Sequence, residues 1–307
     1  MLCNYTQQVI QLVNILSARW LIAGEIAVNY IPLLVHFLNG QKINIDASLL
    51  GKSDSKPFAI QGNSDINTVS RWNLDSPDIP ENSVGIIPID GVLFDSDTAR
   101  ISRFLKMAEQ NPAINSVLFL VNSPGGMVSQ IDLVSDQIKK FQKPTISYVM
   151  DLNASASAWL TSGSNKIILS SRLNRIGSVG VMTSFDDLWP ALAKFGIDHR
   201  EIYASKSTRK NFLKRNLTNP ALSKEEQEKP LIDDLDFVNE FFHSAMKQNR
   251  KLKDDSDVFT GELYYAERGI ELGLADSIDT LDNALSLAHQ LGLTNKINQF
   301  NFNFNQR

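Results

Sequence analysis

Two stretches of this 307-residue chain combine small residues with hydroxyls in a way that can support acyl chemistry. In Asn122-Ser-Pro-Gly125-Gly126 an apolar run stops and two glycines let the backbone turn without a Cβ clash. Val128, Ile131, Val134, Ile138 and Phe141 then recur at helical spacing. The first amides of a helix have no intrahelical partners, so such a turn can receive an anion or a developing oxyanion. In Asp151-Leu-Asn-Ala-Ser155-Ala156-Ser157-Ala-Trp159, small neighbours leave the Ser155 hydroxyl uncrowded. On residue types alone, each stretch also fits a plainer role: a tight turn, and a small-residue helix packed on a sheet. Neither a dinucleotide fingerprint nor a phosphate-binding G-K-[ST] follows the strand at this paired-glycine turn, and the G-x-S-x-G elbow is absent.

A serine nucleophile needs a base. Of the four histidines, His36 falls in an N-terminal helical pattern, His243 on a long helix and His289 near the tail, while His199 follows Gly196-Ile-Asp in a loop. Lysine is the remaining choice, and it acts as a base only when burial or a nearby cation favours its neutral form. Lys206, Lys210 and Lys214 follow the strand-like Glu201-Ile-Tyr203, although such a run also reads as a solvated basic loop.

The elements around these residues alternate. Strands are expected at 84–89, 116–121, 145–150 and 166–169, with helices near 98–109, after Gly126 and at 154–162. Alternation implies right-handed crossovers and a mostly parallel α/β sheet, and the unbroken run SVLFLV suits a strand covered on both faces. A long amphipathic helix is expected over 223–250, opened by a Ser223/Glu226 capping box, with Leu231, Leu235, Val238, Phe242 and Ala245 on one face. Thirty Lys+Arg against 34 Asp+Glu give a net charge of -4, which excludes a polycation for nucleic acid. The single cysteine excludes a disulfide framework, and no H-E-x-x-H pair offers a zinc site. No cofactor or metal is expected. Residues 20–38 are apolar, but Glu25, Asn29, Pro32 and His36 interrupt them, so packed amphipathic helices are expected rather than a membrane anchor.

Taken in order, the motifs resemble a known family. They are the strand with Asn-Ser-Pro-Gly-Gly126, Asn-Ala-Ser155-Ala-Ser-Ala-Trp, Asn-Lys-Ile, Ile176-Gly-Ser178-Val-Gly-Val, Val258-Phe-Thr-Gly261 and Ala266 to Asp276. This series is similar to the signal peptide peptidase A (SppA)-like serine peptidases, over roughly residues 84–285. The resemblance implies a ClpP/crotonase-like fold and a Ser-Lys dyad. Ser155 matches the nucleophile, and the amides of Gly126 and Ala156, with Gly125 beside them, match the oxyanion hole. The family's base lies in G-x-x-K; Ser207-Thr-Arg-Lys210 keeps that spacing with serine for glycine, so Lys210 is the chosen base and Lys206 its rival. Ser178 matches a serine that hydrogen-bonds the base lysine.

The resemblance further implies a polypeptide substrate and a homo-oligomeric ring, because relatives can supply serine and lysine from adjacent subunits. The soluble N-terminal region and the Ala-Ser-Ala pair lean toward phage and prophage head-maturation proteases acting on capsid or scaffold proteins, in the cytoplasm or in the assembling virion. Digestion of signal peptides, a non-catalytic scaffold and a crotonase-type acyl-CoA enzyme are the alternatives. The expected organisation is a helical region at 1–50, a linker at 51–82, the peptidase domain at 83–285 and an Asn-rich frayed tail at 286–307.

Overall fold

The apolar runs become the central strands of an α/β sheet. The computed structural model describes residues 20–22, 56–62, 70–184, 193–194, 196, 198, 200–253 and 255–305. In chain order the elements are β1 (Trp20–Ile22), β2 (Phe58–Ile60), β3 (Ser83–Asp90), α1 (Asp95–Gln110), β4 (Ile114–Ser123), β5 (Gly125–Met127), α2 (Ile131–Lys140), β6 (Thr145–Ala154), α3 (Ala156–Ser162), β7 (Lys166–Leu169) and β8 (Arg175–Gly177). There follow α4 (Phe212–Leu217), α5 (Lys224–Asn249), α6 (Asp255–Val258), β9 (Leu263–Tyr265), α7 (Ala266–Leu272), β10 (Ser277–Ile278) and α8 (Leu281–Asn305).

The chain divides into two compact units, one of Met1–Arg19 and Val181–Glu240, the other of Trp20–Gly180 and Phe241–Arg307. The second holds the eight-stranded sheet, ordered β10-β7-β6-β4-β3-β2, with β8 joined to β6 and β9 to β8. Strands β3, β4, β6, β7 and β10 run parallel, whereas β2 pairs antiparallel with β3. Val117, Leu118, Phe119 and Val121 of β4 are fully buried, as an unbroken apolar strand at the centre of a doubly covered sheet requires. On one face Val84, Ile86, Leu118, Ile146, Tyr148 and Ile168 pack with Ala284, Leu285 and Ala288 of α8.

Strand β6 is long enough to serve two neighbours. Ile146–Val149 pair with β7, and Leu152–Ala154 pair with β8. A register shift between Val121 and Ser123 lets the end of β4 stay level with it, so that Ser123 faces Asn153. The two chemistry-bearing stretches therefore leave adjacent parallel strands at the same edge of the sheet. In α/β sheets this carboxyl edge is where functional loops gather.

Several segments depart from the sequence reading. Residues 51–82, expected as a linker, contribute β2, and Ala59, Ile60 and Leu74 are at most 1% exposed. Residues 286–307, expected to fray, are helical as far as Asn305 because α8 is anchored by its buried first turns. Glu201–Tyr203 form no strand; Glu201 instead pairs with Lys214 at 2.7 Å and Arg215 lies 4.8 Å from the Tyr203 ring. Within the expected N-terminal helices only Trp20–Ile22 are described, and they form a strand; the rest of residues 1–50 lie outside the described residues, with Cys3 and His36. The Ser223/Glu226 capping box is present: the Ser223 amide donates to Glu226 Oε2 at 2.8 Å and the Glu226 amide to Ser223 Oγ at 3.3 Å. Those hydrogen bonds hold the Glu226 carboxyl below its ordinary range.

Candidate active site

Ser155 stands between the end of β6 and the start of α3, with φ 55° and ψ −120°. A serine with positive φ is strained, and such strain persists where surrounding structure over-determines it. Three constraints do so here. The Ser155 amide donates to the Gly177 carbonyl at 2.9 Å, its carbonyl accepts from the Trp159 amide at 2.9 Å, and its residue is 1% exposed. This is a strand–turn–helix elbow built without the flanking glycines of G-x-S-x-G; Ala154 and Ala156, both fully buried, leave room for the bend. The Ser155 hydroxyl lies 3.5 Å from the Gly180 carbonyl, too far for a strong bond, which leaves the oxygen available.

The sequence reading did not single out what holds the elbow from below. Asn153 is fully buried; its Oδ1 accepts from Ser157 Oγ at 2.8 Å, and its Nδ2 donates to Thr161 Oγ1 at 2.9 Å. The Thr161 hydroxyl closes the loop by donating to the Ser157 carbonyl at 2.8 Å. A buried polar ring of this kind stiffens its surroundings because each member would be costly to leave unpaired. The available signal was an asparagine inside an apolar strand, four residues before a serine.

Gly125 and Gly126 are the first two residues of β5, and α3 packs beside that strand. Gly125 has φ 96°, a conformation that favours glycine. Gly126 is required for a different reason: a Cβ there would lie 2.0 Å from the Leu93 carbonyl oxygen. The Leu93 amide donates to the Gly125 carbonyl at 2.8 Å, and the Met127 amide donates to the Leu93 carbonyl at 2.8 Å. The turn ahead of them is fixed by Ser123, whose hydroxyl donates to the Gly91 carbonyl at 2.7 Å and accepts from the Gly125 amide at 3.2 Å. Leu93 and Ser123 are thus positioning residues that the motif reading passed over.

Ser178 follows β8 directly, and since Ala154 pairs with Gly177 it stands next to Ser155 in register. It also has positive φ, 52°, and its amide donates to the Glu262 carbonyl at 2.7 Å. Ser155, Ala156, Gly125, Gly126 and Ser178 therefore meet at one sheet edge within one unit. Lys206 and Lys210 belong to the other unit, where both are exposed; the Lys210 amide donates to the Ser207 carbonyl at 3.1 Å.

Two histidines can be followed. The His243 ring lies 4.4 Å from Phe259, its Nε2 has no hydrogen-bond partner, and burial together with nearby Lys247 lowers its pKa. His289 contacts the Asn82 carbonyl at 3.1 Å. His199 lies outside the described residues. Among the described residues no group of three or more His, Cys, Asp or Glu could hold a metal ion, and no helix is long and apolar enough to cross a membrane.

Comparison with known proteins places this geometry. The model of the Clp protease family matches residues 83–172, the span that carries Gly125, Gly126 and Ser155, and the fold is ClpP/crotonase-like. Protease 4 of Haemophilus influenzae is 24% identical over 258 residues, covering 80% of this chain and 40% of that protein. The head-tail preconnector protein GP5 of Enterobacteria phage P21 is 27% identical over 67% of this chain and 42% of its own. The capsid assembly protease C of Escherichia phage lambda is 27% identical over 40% of this chain and 31% of its own. The chain thus spans less than half the length of each of these three relatives. Among solved structures, an enoyl-CoA hydratase from Shewanella pealeana aligns over 70% of this chain and 76% of its own, with 12% identity and a TM-score of 0.43. The model of peptidase family S49 matches residues 137–294, more than half of the chain, and with the elbow at Ser155 beside a paired-glycine turn this protein belongs to peptidase family S49, the SppA-like serine peptidases.

Proposed function

We propose that the chain is a serine endopeptidase working through a Ser155–Lys210 dyad, and that its substrates are capsid or scaffold proteins. The observation that carries the reading is the strained, buried elbow at Ser155 set beside the Gly125-Gly126 turn. Neutral Lys210 takes the Ser155 proton as Oγ attacks a peptide carbonyl carbon. The amides of Gly126 and Ala156 receive the oxyanion, and each such donor contributes on the order of 10²-fold or more to the rate. The lysine ammonium then protonates the leaving amine, and water hydrolyses the acyl-enzyme. Ser178, beside Ser155 in register, orients the lysine.

Lys210 is exposed in the single chain. A lysine becomes a base near neutral pH when its cation is desolvated. A neighbouring subunit or a bound substrate supplies that cover, which fits a homo-oligomeric active form. The capsid reading draws its support from the phage relatives, and it places the work in the cytoplasm and the assembling virion.

Unfolded casein tests the chemistry. Wild type cleaves it, whereas Ser155→Ala and Lys210→Ala lose cleavage while keeping their fold, and Lys206→Ala retains most activity. Full activity in Lys210→Ala would overturn the base assignment and transfer it to Lys206. Equal cleavage by Ser155→Ala would overturn the nucleophile.

A further inference from the structure

Strand β5 has two edges, and both are engaged. On one, Gly125 and Met127 bond to Leu93, with their carbonyl and amide pointing that way. Successive residues of a strand direct their polar groups to opposite edges. Gly126 therefore turns its N–H and C=O to the other edge, where β1 lies antiparallel in the register Trp20↔Met127, Leu21↔Gly126, Ile22↔Gly125. The Leu21 carbonyl is thus the group facing the Gly126 amide, which is the proposed oxyanion donor. Adding an antiparallel strand to an open edge is how an extended peptide is bound through its main chain.

From this juxtaposition we infer that the chain is its own substrate, with Leu21–Ile22 as the scissile bond, presented in cis. The inference rests on the peptidase reading above. Ser155 Oγ bonds to the Leu21 carbonyl carbon, the C–N bond to Ile22 breaks, and the serine proton passes through the base to the Ile22 amine. Water then hydrolyses the ester, leaving Leu21 with a free carboxylate and Ser155 restored. The peptide ending at Leu21 leaves β5 afterwards and vacates its edge for an extended segment of another polypeptide. The strand is antiparallel in the sense that carries residues before the scissile bond along β5 toward Met127, so a substrate would be read from its acyl side by the same backbone.

The test follows the intact mass and new N-terminus of the purified full chain over time, with casein cleavage measured in parallel. Wild type should lose residues 1–21 and begin at Ile22, and Ser155→Ala should stay whole both alone and when mixed with wild type. Leu21→Pro removes the amide that faces the Gly126 carbonyl; it should remain uncut at this bond yet cleave casein. A wild type that cleaves casein through Ser155 but keeps Leu21–Ile22 intact, or that cuts the Ser155→Ala chain at this bond as readily as its own, overturns the inference and leaves the peptidase reading standing. Unchanged cutting in Leu21→Pro also overturns it. If neither casein nor the chain is cut, both readings fall.

Discussion

At the residue scale, the conformation of Ser155 carries a measurable cost. With φ 55° any side chain at this position is strained, by about 1–3 kcal/mol, and glycine alone relieves it. Glycine loses about 0.5–1 kcal/mol of that relief to its greater freedom in the unfolded chain. Ser155→Gly should therefore be more stable than Ser155→Ala by about 1 kcal/mol, although both lack the Ser155 hydroxyl. Parallel thermal melts of the two variants check this, and a lower midpoint for Ser155→Gly by the full glycine cost would mean that the elbow is not strained. Ser155, Gly125 and Gly126 were visible in the sequence because each stands in a short pattern of small residues after an apolar run. Asn153, Ser123 and Leu93 were not. Their roles depend on which strands are neighbours: Ser123 meets Asn153 only through the β4–β6 pairing, and Leu93 reaches Gly126 from 33 positions upstream.

At the element scale, the joint between β7 and β10 is held by one carboxylate. Asp276 accepts from the Ile167 amide at 2.8 Å and from Arg250 Nη2 at 3.0 Å, and Lys166 approaches to 3.3 Å. Burial alone would raise its pKa, but Arg250, the Ile167 amide and Lys166 together hold it below the ordinary 3.8. The folded state thus binds fewer protons than the unfolded one near that pH. The stabilisation is complete above 3.8 and is lost as pH falls through the lower folded value. Asp276→Asn should cost about 1–2 kcal/mol at neutral pH, because the Arg250 side chain, only 7% exposed, loses its charge partner. Denaturant melts of the two proteins should converge in acid, and a gap that persists below the folded value would contradict the assignment. The strands and the long helix α5 were legible from their periodicity. Helix α8 was not: its second half is rich in Asn and carries no apolar stripe, with Ile297, Phe300 and Phe302 at least 60% exposed. The buried Ala284, Leu285 and Ala288 start it, and propagation from a packed turn is far easier than nucleation. Trp20–Ile22 reversed the expected helix for a related reason, since the exposed edge of β5 offers an apolar segment a ladder that its own periodicity does not reveal.

For the whole molecule, the sheet order puts distant parts of the sequence side by side. Strand β10 closes one end against β7 and β2 the other against β3, while α8 lies across the face between them. A chain ended at Thr280 would leave Ile86, Leu118 and Ile146 uncovered and should not fold cooperatively. A chain ended at Ile297 keeps Ala284, Leu285, Ala288 and the Lys296 contact with Glu81, and should stay within about 1 kcal/mol of the full chain. Circular dichroism melts of the two truncations separate these outcomes, and a cooperative melt for the shorter one would show that α8 is dispensable. The α/β class and the mostly parallel sheet were foreshadowed by alternation, whereas the strand order was not. The expected linker was misjudged because Ser- and Pro-rich composition says nothing of three apolar residues, Phe58–Ile60, that complete a sheet edge.

The dependence of the core on α8 also bears on how the protein is made. Synthesis proceeds from the N-terminus at about 5–20 residues per second, and a domain folds once its parts have emerged. Ser155 and the Gly125-Gly126 turn are translated long before Ala284, Leu285 and Ala288, yet the strands that aim them stay uncovered on one face until those residues arrive. A nascent chain that extends past Ser155 but not to Ala284 therefore carries the elbow and the glycine turn on a sheet uncovered on one face. Assembly of the elbow is thereby postponed until the first turns of α8 have left the ribosome.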